Sequence, residues 1–376
     1  MTNFYEQARA IAREYIDPYS KAIDEEMRFP VELFEALKKT DLLKLIIPKE
    51  QGGLGGGLIE HEEICRAFAQ SCASAGLCYM MHNVALFSIL GNGPEVMKQE
   101  VVRDIMENGE FTALAFSEFG TGTNFFVSTL DVKDMGDKVV INGRKSMVTS
   151  ATYAKYYLIL APSITGEGID CYLVHRDDPG LSFEMNEWNG IGMRGNVSCP
   201  MTMKDLVLDK STRMVGKPGD GMDIVFNFVA LMFVTGLAGV YAGLCQHTLE
   251  VITNWSQSRK FPDGRALCNL ETVQIHLGEA YTLTNAAVAA AKEAGRAGDA
   301  GEEDALRKIL AGRIMAARSA VRVTNLAMQI GGGKIYNKKT CVEQLLRDAY
   351  AGQIMAPSVD VLILWLARAM TGQDLV

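Results

Sequence analysis

No pair among the eight cysteines is spaced as CxxC, so the sequence carries neither a local zinc ligand set nor a thioredoxin-type redox motif. It has no GxSxG turn to present a serine nucleophile and no GKS/T to close a phosphate-binding P-loop. A GxGxxG between strand and helix, the mark of a nicotinamide dinucleotide site, is missing too. Basic residues are not in excess: 37 Lys and Arg stand against 45 Asp and Glu, a net charge of −8. That balance argues against non-specific nucleic-acid binding, which needs a cationic face. The N-terminus, MTNFYEQARAIAREY, is charged and amphipathic and has no apolar signal-peptide core. Cys65, Cys72 and Cys78 sit in apolar helical sequence and read as buried free thiols, which predicts a reducing, cytoplasmic setting. No cluster predicts a metal.

What is present is an ordinary folded composition: 376 residues, 48% hydrophobic and 22% charged, enough for two or three packed subdomains. Residues 1–110 show helical periodicity, as in Leu33, Phe34 and Leu37, then Ile64 and Phe68. The QGGLGGG run at 51–57 has no strand before it and reads as a turn between helices. Residues 111–220 change to short strands; DVKDMGDKVVINGRKSMVTS predicts two strands around a Gly-Asp turn, with a second turn at Asn142-Gly143. Residues 221–376 are helical again, with Ala-rich segments at 283–300 and 305–328. The apolar stretch Val225 to Leu244 is long enough to span a bilayer. It is interrupted by Asn227, Gly236, Gly239 and Gly243 and runs into Gln246, His247 and Glu250 without a basic flank. A buried helix is the expectation there, not a membrane span.

Four motifs in order resemble the acyl-CoA dehydrogenase superfamily over essentially the whole chain. Ala115-Phe-Ser-Glu-Phe-Gly-Thr-Gly-Thr-Asn124 is similar to its flavin loop, and Lys145-Ser-Met-Val-Thr-Ser-Ala151 to its Trp-Ile-Thr-Asn-Gly segment. Ile191-Gly-Met-Arg-Gly-Asn196 matches its Gly-Met-Arg-Gly-Ser turn. Met328-Gln-Ile-Gly-Gly-Gly333 with Leu346-Arg-Asp-Ala349 matches its Gln-x-x-Gly-Gly and Arg-Asp-Ala pair. The resemblance implies an α+β, mostly α fold: an N-terminal helical domain, a central β domain and a C-terminal four-helix bundle around FAD. It places Phe116 and Ser117 at the pyrimidine edge of the flavin, Thr149 at N5, Met147 over the ring and Thr123 near the pyrophosphate. Gln329, Gly332 and Gly333 match the stretch that holds the adenylate half of a neighbouring subunit's FAD. Ser358 matches a threonine near the cofactor. The family's Arg-x-x-Phe-Gly is imperfect here, with Arg259 displaced by one position and Phe261 followed by Pro262 and Asp263 before Gly264. The resemblance further implies an acyl-CoA or acyl-carrier-protein thioester as substrate, an electron-transferring flavoprotein as electron partner, and a homotetramer or dimer.

One element of the family pattern is missing. Removal of an α-proton needs a proton acceptor facing the substrate, and the family carries a glutamate as tenth residue counted from the arginine of Arg-Asp-Ala. That position is Ala356. The alternative position, on the preceding long helix, aligns with Val229, and the family's CoA-phosphate arginine beside it aligns with Ala230. The catalytic base is therefore unknown from sequence, with His82 and Glu118 as weak candidates. Three readings remain open: a thioester dehydrogenase or reductase with a relocated base, a base-less subunit of a mixed assembly, and other flavin chemistry on the same scaffold.

Overall fold

The computed structural model describes residues 3–122, 124 and 126–376. Helices α1 (Phe4–Tyr15), α2 (Ser20–Glu25), α3 (Val31–Leu37), α4 (Leu58–Ala69), α5 (Ala73–Asn92) and α6 (Glu95–Asn108) form an all-helical first part. The glycine-rich run at 51–57 is the turn that leads into α4. Free amides at the start of a helix need acceptors. Those of Leu58 and Ile59 donate to the Asp299 carboxylate at 2.7 and 2.9 Å, which ties α4 to the C-terminal part.

Strands β1 (Thr112–Ala115), β2 (Asp131–Asp134), β3 (Lys138–Val148), β4 (Tyr156–Pro162), β5 (Ile169–His175), β6 (Leu181–Phe183), β7 (Cys199–Asp209) and β8 (Met214–Val215) build two sheets. Their orders are β1-β4-β5-β8 and β2-β3-β7-β6. Among the described residues only the β1–β4 pairing is parallel. The β2–β3 hairpin turns at Gly136, in the left-handed conformation as expected. The turn expected at Asn142-Gly143 is not formed. β3 continues through it because β7 pairs on both sides, and the register shift there is a bulge. Asn142 Oδ1 spends its hydrogen bond on Asp205 N–H, at 2.7 Å, instead of closing a turn.

After two short helices, α7 (Lys210–Arg213) and α8 (Gly221–Ile224), comes a π-helical turn at Val225–Val229. It leads into the bundle helices α9 (Ala230–Ser258), α10 (Glu271–Asp299) and α11 (Ala305–Tyr336) and the shorter α12 (Val342–Ile354) and α13 (Val359–Thr371). α11 breaks its helical path at Gly332. Two segments, Ala73–Asn92 and Gly221–Ser258, are long and apolar enough to cross a membrane, as is the bent pair α12 and α13 taken together. Inside the protein, 89% and 67% of the apolar windows of the first two are buried. α9 packs against α4 backbone to backbone. A Cβ on Gly239 would stand 2.6 Å from Glu62 O, and one on Gly243 2.3 Å from Arg66 O. The same seam buries the Glu62–Arg66 ion pair at 2.8 Å.

Because backbone rather than a flexible side chain blocks the space, Gly239→Ala should force α4 and α9 apart. The expected destabilisation is about 1–3 kcal/mol, read as a lower denaturation midpoint; an unchanged midpoint would show that the seam yields freely.

Candidate active site

A cavity of about 680 Å³ opens where the three parts meet. One wall comes from the loop after β1 and the end of β3. Lys145, wholly buried, reaches back from β3 and donates to Glu118 Oε1 at 2.6 Å, Leu160 O at 2.5 Å and Phe116 O at 3.3 Å. Glu118 also accepts from Ser128 Oγ, Thr129 N and Thr129 Oγ1 at 2.6 to 2.7 Å. Burial pushes this carboxyl up, but the Lys145 ammonium and the donor hydroxyls outweigh burial and hold it below the usual range. Burial is the larger effect on Lys145, bringing it down to about 8. The pair fastens residues 116–118 from behind, and Phe116, Ser117, Met147 and Thr149 line the cavity in front. Thr149 Oγ1 lies 3.0 Å from Ser198 Oγ.

A second wall is the turn around Gly192. Trp188 Nε1 donates to Arg194 O at 2.8 Å, which holds the indole at the cavity edge. Arg347 and Asp348 of α12 clamp this turn. Arg347 donates to Ile191 O at 2.7 Å and, from the other side, grips both Asp24 oxygens of α2 at 3.0 and 2.5 Å. Asp348 accepts from Met193 N–H at 2.5 Å, and its burial pushes the carboxyl up to about 7. The clamp delivers the end of α12 to the cavity, so that Ala356 faces the same space as Val229 and Ala230 of the π turn and α9. Among the described lining residues, Glu118 supplies the only carboxylate and Arg347 the only basic group. Both are already paired.

The structure does not place His82 at this site. Nε2 donates to Leu43 O at 2.8 Å and Nδ1 accepts from Thr112 N–H at 3.2 Å, with the ring fully buried. Its neighbour Met81 faces the cavity instead, because successive residues on a helix point about 100° apart. Burial brings His82 down to about 4, so it is a neutral packing residue and not a base for the cavity. Glu118 lines the cavity, but its oxygens hold the loop together, which removes it as a free base. Arg259, Phe261 and Gln329 to Gly333 fall elsewhere. The Arg259 guanidinium lies over the Phe261 ring at 5.6 Å, Phe261 packs in the same cluster as Met328, and Gln329, Gly332 and Gly333 are exposed. Ser358 caps α13, its Oγ accepting from Val361 N–H. Thr123 lies outside the described residues. Trp188, Ser198 and Met81 were missed by sequence reasoning, although Trp188 and Ser198 flank the Gly-Met-Arg-Gly turn and Met81 adjoins the candidate His82.

Comparison with known proteins accords with this geometry. Family models for the N-terminal, middle and C-terminal domains of acyl-CoA dehydrogenases match residues 2–109, 113–206 and 219–371. The chain belongs to the acyl-CoA dehydrogenase family. Among its relatives is a cyclohex-1-ene-1-carbonyl-CoA dehydrogenase of Geobacter metallireducens, 26% identical over 98% of this chain and 96% of the relative. An acryloyl-CoA reductase (NADH) of Anaerotignum propionicum is also 26% identical, over 98% and 94%. A glutaryl-coenzyme A dehydrogenase solved with glutaryl-CoA has the same fold, at a TM-score of 0.91 and 20% identity, over 100% of this chain and 96% of that one.

Two tests follow from the buried charges. Lys145→Met leaves Glu118 buried without its cation and should cost about 3–5 kcal/mol, while Lys145→Met with Glu118→Gln should recover part of that loss in denaturant unfolding. Equal midpoints for the single and double variants would remove the pair from its role. His61 and His82 both sit at about 4 in the folded chain against an ordinary 6.5. At these two sites the unfolded chain therefore takes up protons first, and their contribution to stability is full above roughly pH 6.5 and is lost as pH drops toward 4, against the opposite contribution of Asp348. His82→Gln should flatten that slope in a pH series of unfolding midpoints.

Proposed function

We propose that the protein is an FAD-dependent oxidoreductase acting on the α,β-bond of an acyl thioester, by dehydrogenation or the reverse. The observation that carries this reading is the convergence of loop 116–118, Thr149 and Ala356 on one largely apolar cavity. Relatives whose names mark both directions, a dehydrogenase and a reductase, support it.

The residues present fit a flavin. Gly120 and Gly122 hold left-handed angles with nothing within 4 Å of where a Cβ would stand, so backbone can approach a diphosphate there. Bound FAD supplies the hydride acceptor. Phe116 and Ser117 would hold the pyrimidine edge, and Thr149 would stand beside the redox-active nitrogen with Met147 over the ring. Gln329, Gly332, Gly333 and Arg259, exposed or half-buried away from the cavity, would serve the adenylate half of a neighbouring subunit's cofactor in a homotetramer or dimer. Apolar side chains from Met81, Val225, Val229 and Phe233 exclude water from the thioester. We further propose a cytoplasmic protein that passes electrons to an electron-transferring flavoprotein.

The proton acceptor is the departure from the family pattern. With Ala356 and Val229 at the usual positions and Glu118 locked to Lys145, this chain's described cavity wall offers no free carboxylate. That favours a second reading, in which this chain is the base-less member of a mixed assembly or runs flavin chemistry needing no α-proton base.

The purified protein should show a flavin absorption band and release FAD on heating; FMN alone would overturn the cofactor assignment. Anaerobic bleaching with a panel of CoA- and carrier-bound thioesters should identify the substrate. Ala356→Glu with Pro357→Gly restores a carboxylate and a flexible backbone at the cavity. Because a general base contributes roughly 10²–10⁴-fold, weak activity on a saturated acyl-CoA should rise visibly. A variant that binds FAD yet gains nothing on any thioester would move the balance to the second reading.

A further inference from the structure

Four residues with side chains hold left-handed backbone angles on two facing segments, and Met193 among them lines the cavity. Ser150 (φ +59°) and Thr152 (φ +67°) stand on one segment, Met193 (φ +52°) and Val197 (φ +46°) on the facing one. Such angles are unfavourable for residues with a Cβ, and most of all for a β-branched valine. Chains keep them where surrounding structure over-determines a site. Ser150 N–H joins the two segments by donating to the Asn196 carbonyl at 2.9 Å.

Asn196 is the polar residue at this junction. It lines the cavity, its side chain belongs to a residue only 4% exposed, and its Oδ1 has no hydrogen-bond partner. The adjacent Ser150 Oγ is buried beside the Cys78 thiol. Nearby polar groups are already engaged: Thr149 with Ser198, the Trp188 indole with Arg194 O, and Glu118 with Lys145. Buried polar atoms without partners are rare in folded chains and cost stability until something binds them. As placed, Oδ1 is turned away from the open space of the cavity, and a half-turn of the side-chain amide, which exchanges oxygen and NH₂, brings the acceptor to it.

Resting on the thioester reading above, we propose that Asn196 is a specificity-determining residue that accepts a hydrogen bond from the acyl chain of the substrate. The preferred substrate is then an acyl thioester whose chain carries an N–H or O–H group, in place of a plain hydrocarbon chain. A site built around a buried acceptor discriminates strongly, because an analogue lacking the donor leaves that acceptor unpaired.

Pantetheine thioesters test this for both carriers. A hexanoyl series with a hydroxyl walked along the chain is titrated anaerobically into the flavin-loaded protein, with the flavin spectrum as readout. At one hydroxyl position, binding should be roughly 10- to 100-fold tighter than for hexanoyl itself. Asn196→Leu should abolish that preference while retaining FAD, and Asn196→Asp, which keeps an acceptor, should restore it. The inference is overturned if wild type shows no preferred position, since the amide then holds only water. It is equally overturned if Asn196→Leu keeps the wild-type preference, or if both variants lose FAD, which would assign the amide to the cofactor. If no thioester perturbs the wild-type flavin, the thioester reading itself fails and this inference with it.

Discussion

Arg347 and Asp348 are adjacent in α12 and face different partners. The guanidinium grips Asp24 of the first helical part and Ile191 O of the β part, while the carboxylate takes the Met193 amide. Charge-assisted bonds of this kind, two of them parallel to one carboxylate, fix direction as well as distance. Three separately built regions meet at this one clamp, and the cavity is the space left between them. Because Arg347 is spent here, it is not available to a ligand's phosphate. The burial of Asp348, which raises its carboxyl to about 7, is a cost of the same arrangement.

The rest of the molecule positions the walls that the clamp joins. Lys145 and Glu118 set the loop on the β side, and the glycine contacts of α9 with α4 bring two backbones close enough to carry the π turn to the cavity. A π turn places side chains out of step with the α-helix that follows it, and this one offers Val225 and Val229 to the cavity. The resulting wall is apolar where a proton acceptor and a phosphate-binding cation would be expected in the family. Polar recognition is concentrated instead at the strained corner around Asn196.

Much of this was legible along the chain. Helical and strand periodicities are local, so the helical, β, helical order and the buried character of Val225 to Leu244 follow from residue spacing. The ordered motifs at 115–124, 145–151, 191–196 and 328–349 are short segments whose order along the chain is enough to indicate the family. Ala356 and Val229 could be read by position as the residues at the expected base positions, and both line the cavity. The Asn142-Gly143 turn failed because a turn signal is overridden when a strand from elsewhere, here β7, pairs on both sides of it.

The sequence by itself determined which residue types are available: no acid between Asp348 and Asp360, no cation at Ala230, and a flavin-loop pattern around Phe116 and Ser117. Tertiary structure alone decided where they point. His82 and Met81 are neighbours, yet packing against Leu43 and Thr112 turns the imidazole inward and leaves the thioether at the cavity. Glu118 is a carboxylate in the right loop, but a lysine from the next hairpin consumes it. Whether a polar atom is free or engaged depends on partners far away in sequence, and only the folded chain brings those partners within hydrogen-bond reach.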